Sequence, residues 1–166
     1  MKKKIIILGI TLFLLIGCSM SNTPTSKVED LLSKYQRLDA DISSSINNVL
    51  DEQNLTDMHK ERYRKLLENQ YKNMSYEIKE EQIDGNNAIV TVEIEVLDYK
   101  KSISDLTFDS TIYTKESYDE EKLNRLENTK DKVTYTLELS LTKDKEDTWR
   151  LNALTNEQIK KIQGMY

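Results

Sequence analysis

The chain has little to build conventional sites from: its 166 residues include one Cys, one His, one Pro, one Trp, two Phe and four Gly. Each shortage removes a class of chemistry. A Cys/His zinc centre needs three or four such ligands and a disulfide needs two thiols, so Cys18 and His59 assemble neither. Haem and iron–sulfur ligation ask for still more. Beyond residue 17 only Gly85 and Gly164 remain, which excludes a Walker-type phosphate loop and a dinucleotide fingerprint, both of which need closely spaced glycines. No cofactor is expected in the folded part, and room exists for one domain.

The amino end holds more information. Met1 and three lysines, Lys2, Lys3 and Lys4, precede an uncharged run from Ile5 to Ile16, then Gly17 and Cys18. Ile5 to Met20 is 16 residues, short of the roughly 20 that cross a hydrocarbon core. The pattern is that of a secretion signal, with the lysines held in the cytoplasm. Leu15, Ile16, Gly17 and Cys18, followed by polar Ser19, resemble the lipobox of bacterial lipoproteins. That resemblance implies a thioether-linked diacylglycerol on Cys18, with amine acylation in some species, and Cys18 as the first residue of the mature chain. An ordinary cleaved signal peptide and an uncleaved anchor are the alternatives. One acyl chain binds membranes only marginally, whereas two or three hold durably.

The resulting organisation is a signal over residues 1–17, a lipidated Cys18 and tether over 18–26, and a single domain over 27–166. The expected location is the outer face of the cytoplasmic membrane. The formal charge of −5 becomes more negative by three once Lys2, Lys3 and Lys4 are removed. Such a domain has no basic footprint for nucleic acid and is repelled by anionic headgroups, so lipid rather than surface charge holds it to the membrane. Ser19 to Ser26 is small and polar and contains the only proline, giving a tether of roughly 16 Å reach.

Patterning predicts an α+β fold. Ser26, Lys27, Val28 and Glu29 read as a capping box, and Val28, Leu31, Tyr35, Leu38, Ile42, Ile46 and Val49 form a helical stripe running to about Leu50. After a break at Asp51 to Asn54, Thr56 caps a second helix with Met58, Tyr63, Leu66, Leu67 and Tyr71 inside and Lys60, Glu61, Arg62 and Arg64 outside. From Met74 the period becomes two. Tyr76 and Ile78 lead to the turn residues Asp84, Gly85, Asn86 and Asn87, then Ala88, Val90, Val92, Ile94 and Val96 line one strand face. Val133, Tyr135, Leu137, Leu139 and Leu141 alternate in a later strand, which returns through Trp149, Arg150 and Leu151. Lys100 to Lys130 reads as a helical crossover, with a capping box at Ser117 to Glu120 before Leu123 and Leu126 and a β-leaning stretch at Thr107 to Thr114. Thr155 to Gln158 caps a short C-terminal helix that Gly164 stops. The expected architecture is a helical pair on a curved antiparallel sheet of about four strands.

This element order, with the hairpin from Leu139 through Lys143 to Trp149, resembles small Firmicutes lipoproteins of the cystatin-like or nuclear transport factor 2-like cone. The resemblance implies helices across a concave sheet face, whose cup holds a ligand or is filled with side chains. Such folds host enzymes, binders and spacers alike.

Candidate sites are few. Enzymes of the cone often use a His with an Asp as acid and base, but His59 lies one step off the apolar stripe beside Lys60 and Glu61, which predicts a surface histidine. Glu93, Glu95 and Glu138, with Thr91, Thr134 and Thr136, share the less apolar sheet face, read either as a solvated face or as an acidic patch for a cation or basic partner. Asp144, Glu146 and Asp147 miss the spacing and glycine of a calcium loop, and Tyr135 and Trp149 are expected in the core. The expected function is a membrane-anchored, non-enzymatic lipoprotein that binds a protein partner or small ligand. A cone-fold enzyme with His59 as general base and a passive accessory of a membrane complex are the alternatives.

Overall fold

The computed structural model describes residues 22–51 and 54–166; Leu15, Ile16, Gly17 and Cys18 lie outside the described residues. Three helices come first, α1 (Pro24–Arg37), α2 (Ala40–Asp51) and α3 (Asp57–Asn73), followed by the hairpin β1 (Ser75–Asp84) and β2 (Asn87–Leu97). The crossover carries α4 (Tyr99–Ser102) and α5 (Lys115–Glu127), and β3 (Lys132–Lys143), β4 (Trp149–Leu151) and α6 (Asn156–Ile162) complete the chain. The sheet is antiparallel in the order β1-β2-β3-β4. The α+β class is therefore as expected.

β2 and β3 are its spine. Their alternating β-branched and leucine residues pair face to face, Val90 with Leu139 and Val92 with Leu137, and the inner-face residues from Ala88 to Val96 and from Leu137 to Leu141 are 0–3% exposed. One face thus meets the helices while the other is wet, the usual arrangement for an antiparallel sheet. Val28 and Leu32 of α1, Leu50 of α2, and Leu67 and Tyr71 of α3 join that core. The cup is filled with side chains.

At the edge, β1 carries a bulge between Ile78 and Glu80. One extra residue reverses the facing of everything beyond it, so Glu81 pairs with Val90 on the helix side. There its carboxylate accepts hydrogen bonds from Thr25 N at 2.9 Å and Thr25 Oγ1 at 2.7 Å, at the start of α1. Negative charge at a helix N-terminus is favourable.

This corrects the expected tether. Helix α1 begins at Pro24, not after Ser26, because Thr23 and Ser26 form the capping box and Pro24 occupies the first helical turn. Asn22 is also fixed, its side chain donating to Asp147 O at 2.8 Å and accepting from Trp149 N at 3.0 Å. Only Ser19, Met20 and Ser21 separate Cys18 from Asn22, a span of at most about 14 Å.

The continuous first helix is also corrected. Leu38 adopts the left-handed conformation (φ 54°, ψ 50°) and ends α1, its N–H and that of Asp39 closing on carbonyls of the last turn. Leu32 and Leu50, not Leu31 and Val49, are the residues buried. In the crossover Thr107 to Thr114 forms turns and no strand, and α5 starts earlier than expected because Thr114 and Ser117 make its capping box. Where β4 is too short to cover β3, α6 lies along the edge: Gln158 Nε2 and Lys161 Nζ donate to the carbonyls of Glu138 and Thr136. Backbone acceptors on an exposed edge are thereby occupied.

The chain end closes at Gly164 (φ +69°), where an added Cβ would fall on the Leu97 carbonyl and the Gln70 amide. Gln70 holds the same spot, pairing with both Leu97 N and Leu97 O at 3.0 and 2.9 Å. Gly164→Ala is expected to cost about 2–4 kcal/mol, from left-handed strain plus overpacking. Gly85→Ala, at φ +58° with open space around it, is expected to cost only about 1 kcal/mol; chemical denaturation of the two variants checks the difference.

Candidate functional site

The helical surface of α3 has two working faces. Leu67 and Tyr71 point to the sheet core, while His59, Tyr63, Leu66 and Gln70, spaced four, three and four residues apart, form a second stripe. That stripe meets α5 through Leu123 and Leu126. It reverses two expectations: Met58 is 61% exposed, whereas His59 is 1% exposed. The surface histidine is buried, because the residue after an exposed one on a helix turns 100° toward the neighbour.

A polar cluster seals this seam. His59 Nε2 lies 3.1 Å from Glu120 Oε2, and Arg62 Nη1 reaches the same oxygen at 2.7 Å. Arg62 also grips Glu127 with two hydrogen bonds, at 2.7 and 2.8 Å, and bonds Asn124 Oδ1 at 2.7 Å. Bidentate arginine–carboxylate pairs combine charge with fixed geometry. The Arg62 hydrogen bonds hold the carboxyls of both Glu120 and Glu127 below the usual range, and Glu127 in turn raises the affinity of the guanidinium for its proton. An ionised carboxylate only accepts, so the contact with His59 places the ring proton on Nε2. That nitrogen is therefore a donor to Glu120.

The expected acidic patch is on one face but is largely neutralised. Glu93 lies opposite Glu77, with Lys79 bridging the two at 2.8 and 2.7 Å, and Glu95 pairs with Lys132 at 2.7 Å. Glu138 sits opposite Thr91 on the same outer face. Among the described residues no group of three acidic, His or Cys side chains is placed to hold a metal ion. Asp144 instead organises the β3–β4 turn, accepting from the N–H groups of Glu146 and Thr148. Trp149 is in the core at 5% exposure, and Tyr135 is half-buried against it with its hydroxyl on Tyr166 O.

Two clefts lie at the crossover. One cleft of about 370 Å³ has Leu66, Tyr99 and Leu126 among its walls and Asn69, Asn73 and Lys130 among its polar residues. A second, open cleft of about 610 Å³ lies along residues 105–113 and Arg125. Phe108 and Ile112 stand out of that loop at 49% and 71% exposure. His59 lines neither cleft. Sequence reasoning missed this loop because two isolated apolar residues in a polar stretch have no period; the signal present was that Phe108 is the only phenylalanine after Phe13.

Comparisons of the chain with protein-family models, with curated proteins and with solved structures give no match.

Because Glu120 and Glu127 keep their charge in the fold at pH values where they protonate in the unfolded chain, they stabilise it above about pH 4.3 and lose that contribution as pH falls below it. Arg62→Leu is expected to flatten the rise of stability with pH across the acid range. An unchanged slope, measured by denaturation at a series of pH values, would refute the assignment of the cluster as the source.

Proposed function

We propose that the chain is a lipid-anchored, non-enzymatic lipoprotein on the outer face of the cytoplasmic membrane, with diacylglycerol on Cys18, and that it binds a protein partner. The anchor rests on Lys2 to Lys4, the short apolar run and the Leu15 to Cys18 tetrapeptide. The observation that carries the binding reading is the division of surfaces: the sheet's inner face is filled, while Phe108 and Ile112 are exposed on the crossover. A filled cup leaves recognition to the outside of the domain. The resemblance to the cystatin-like or nuclear transport factor 2-like cone rests on element order and the hairpin through Trp149 and adds no activity.

A second reading has one observation in its favour, since a buried His59 beside a carboxylate is the pair a general base needs. Against it, Glu120 is shared with Arg62 and His59 lines neither crossover cleft. In this reading the pair is a catalytic dyad; in the favoured one it braces α3 against α5.

Globomycin, which blocks removal of lipoprotein signal peptides, is expected to leave the unprocessed chain in the membrane fraction. Cys18→Ser is expected to abolish lipid labelling and shift the mature chain out of that fraction. Unchanged membrane retention in Cys18→Ser would overturn the anchor.

A further inference from the structure

The crossover that carries the exposed loop joins the sheet at the end opposite Asn22. Asn22 is clamped to Asp147 and Trp149, beside the turns where β1 meets β2 and β3 meets β4. The crossover leaves from Leu97 and returns at Lys132, at the far end of the same strands, which the eleven residues of β2 place roughly 34 Å away. Three residues separate Cys18 from Asn22, and Asn22 is separated from the roots of the crossover by the length of the sheet.

The loop is built rather than loose. Asp109 Oδ1 accepts from Thr111 N and Thr111 Oγ1 at 2.8 and 2.7 Å, and Asp105 is tied to Arg125 at 2.7 Å. Phe108 and Tyr113 both meet the edge or face of Tyr118, with centroids 5.4 and 5.9 Å away. A loop already ordered presents its apolar side chains at little further entropic cost. On the loop and in the first turn of α5, Asp109 and Glu116 are exposed carboxylates with no ion pair among the described residues.

We propose that this loop is a docking tip, inserting Phe108 and Ile112 into an apolar pocket of an extracytoplasmic protein whose rim carries Lys or Arg opposite Asp109 and Glu116. The charge around the tip selects the occupant. Anionic headgroups repel carboxylates at the membrane surface, and a two-fold pairing of copies centred on the tip would set each acidic rim against its own image. A basic-rimmed protein pocket satisfies both the apolar tip and its acidic border. The proposal deepens the anchored-binder reading and takes from it the outward orientation of the loop.

The test places a photoreactive benzophenone side chain at Ile112 of the full chain in living cells, with the same probe at Ile89 on the outer sheet face as control. The expected result is one discrete adduct with a different protein from position 112 and none of that mass from 89. Phe108→Ser is expected to cut its yield at least about tenfold. Asp109→Asn with Glu116→Gln keeps the Thr111 acceptor but removes both charges, and is expected to cut the yield several-fold and remove its sensitivity to added salt. An adduct of two copies of this chain, an adduct with lipid alone, no adduct, or full yield from the charge-neutral double variant each overturns the proposal. Fractionation of Cys18→Ser in the same cells reports on the anchor alone, so failure of the anchor and failure of the tip are distinguishable.

Discussion

The structure depends on covering one face of two strands. β2 and β3 present a double row of mainly aliphatic side chains, from Ala88 to Val96 and from Leu137 to Leu141, from which water must be excluded. Fully burying each such side chain is worth about 1.5–3 kcal/mol, which no surface ion pair in this charge-rich chain approaches. The helices are there to provide the cover. Details at the N-terminus follow from seating α1 on that face: the bulge that turns Glu81 inward, the capping box of Thr23 and Ser26, and the clamp made by Asn22.

The crossover is a second, smaller problem of the same kind. Leu66, Tyr99, Leu123 and Leu126 form a separate cluster that includes α5. Arg62 adds four hydrogen bonds across the seam, and Gln70 and Gly164 lock the point where β2 leaves the sheet. Buried polar residues at such a junction are costly unless satisfied. Here each is bonded, and His59 belongs to that set.

What was legible in the sequence was whatever has a period or a local cap. The alternation in β2 and β3, the turn at Gly85, the helix stop at Gly164 and the cap at Thr155 all appear where the residues placed them. What was hidden lacked a local signal. Leu38 takes a left-handed conformation that sequence normally marks with glycine or asparagine, so the break between α1 and α2 is invisible in the stripe. His59 and Gln70 stand at polar ends of a helical stripe, where hydropathy assigns them to solvent. The bulge in β1 arises from tertiary fit to α1 and has no residue of its own to announce it. Phe108 and Ile112 became informative only when their exposure was known.

The packed inner face leaves the outside of the domain for the proposed binding. Native mass spectrometry of the chain extracted from membranes under gentle conditions tests this most directly. A lipid-bearing chain that carries no small molecule in stoichiometric amount is expected. A one-to-one small-molecule adduct that survives transfer and disappears when Val92 or Leu137 is enlarged would place a ligand inside the cup and contradict it.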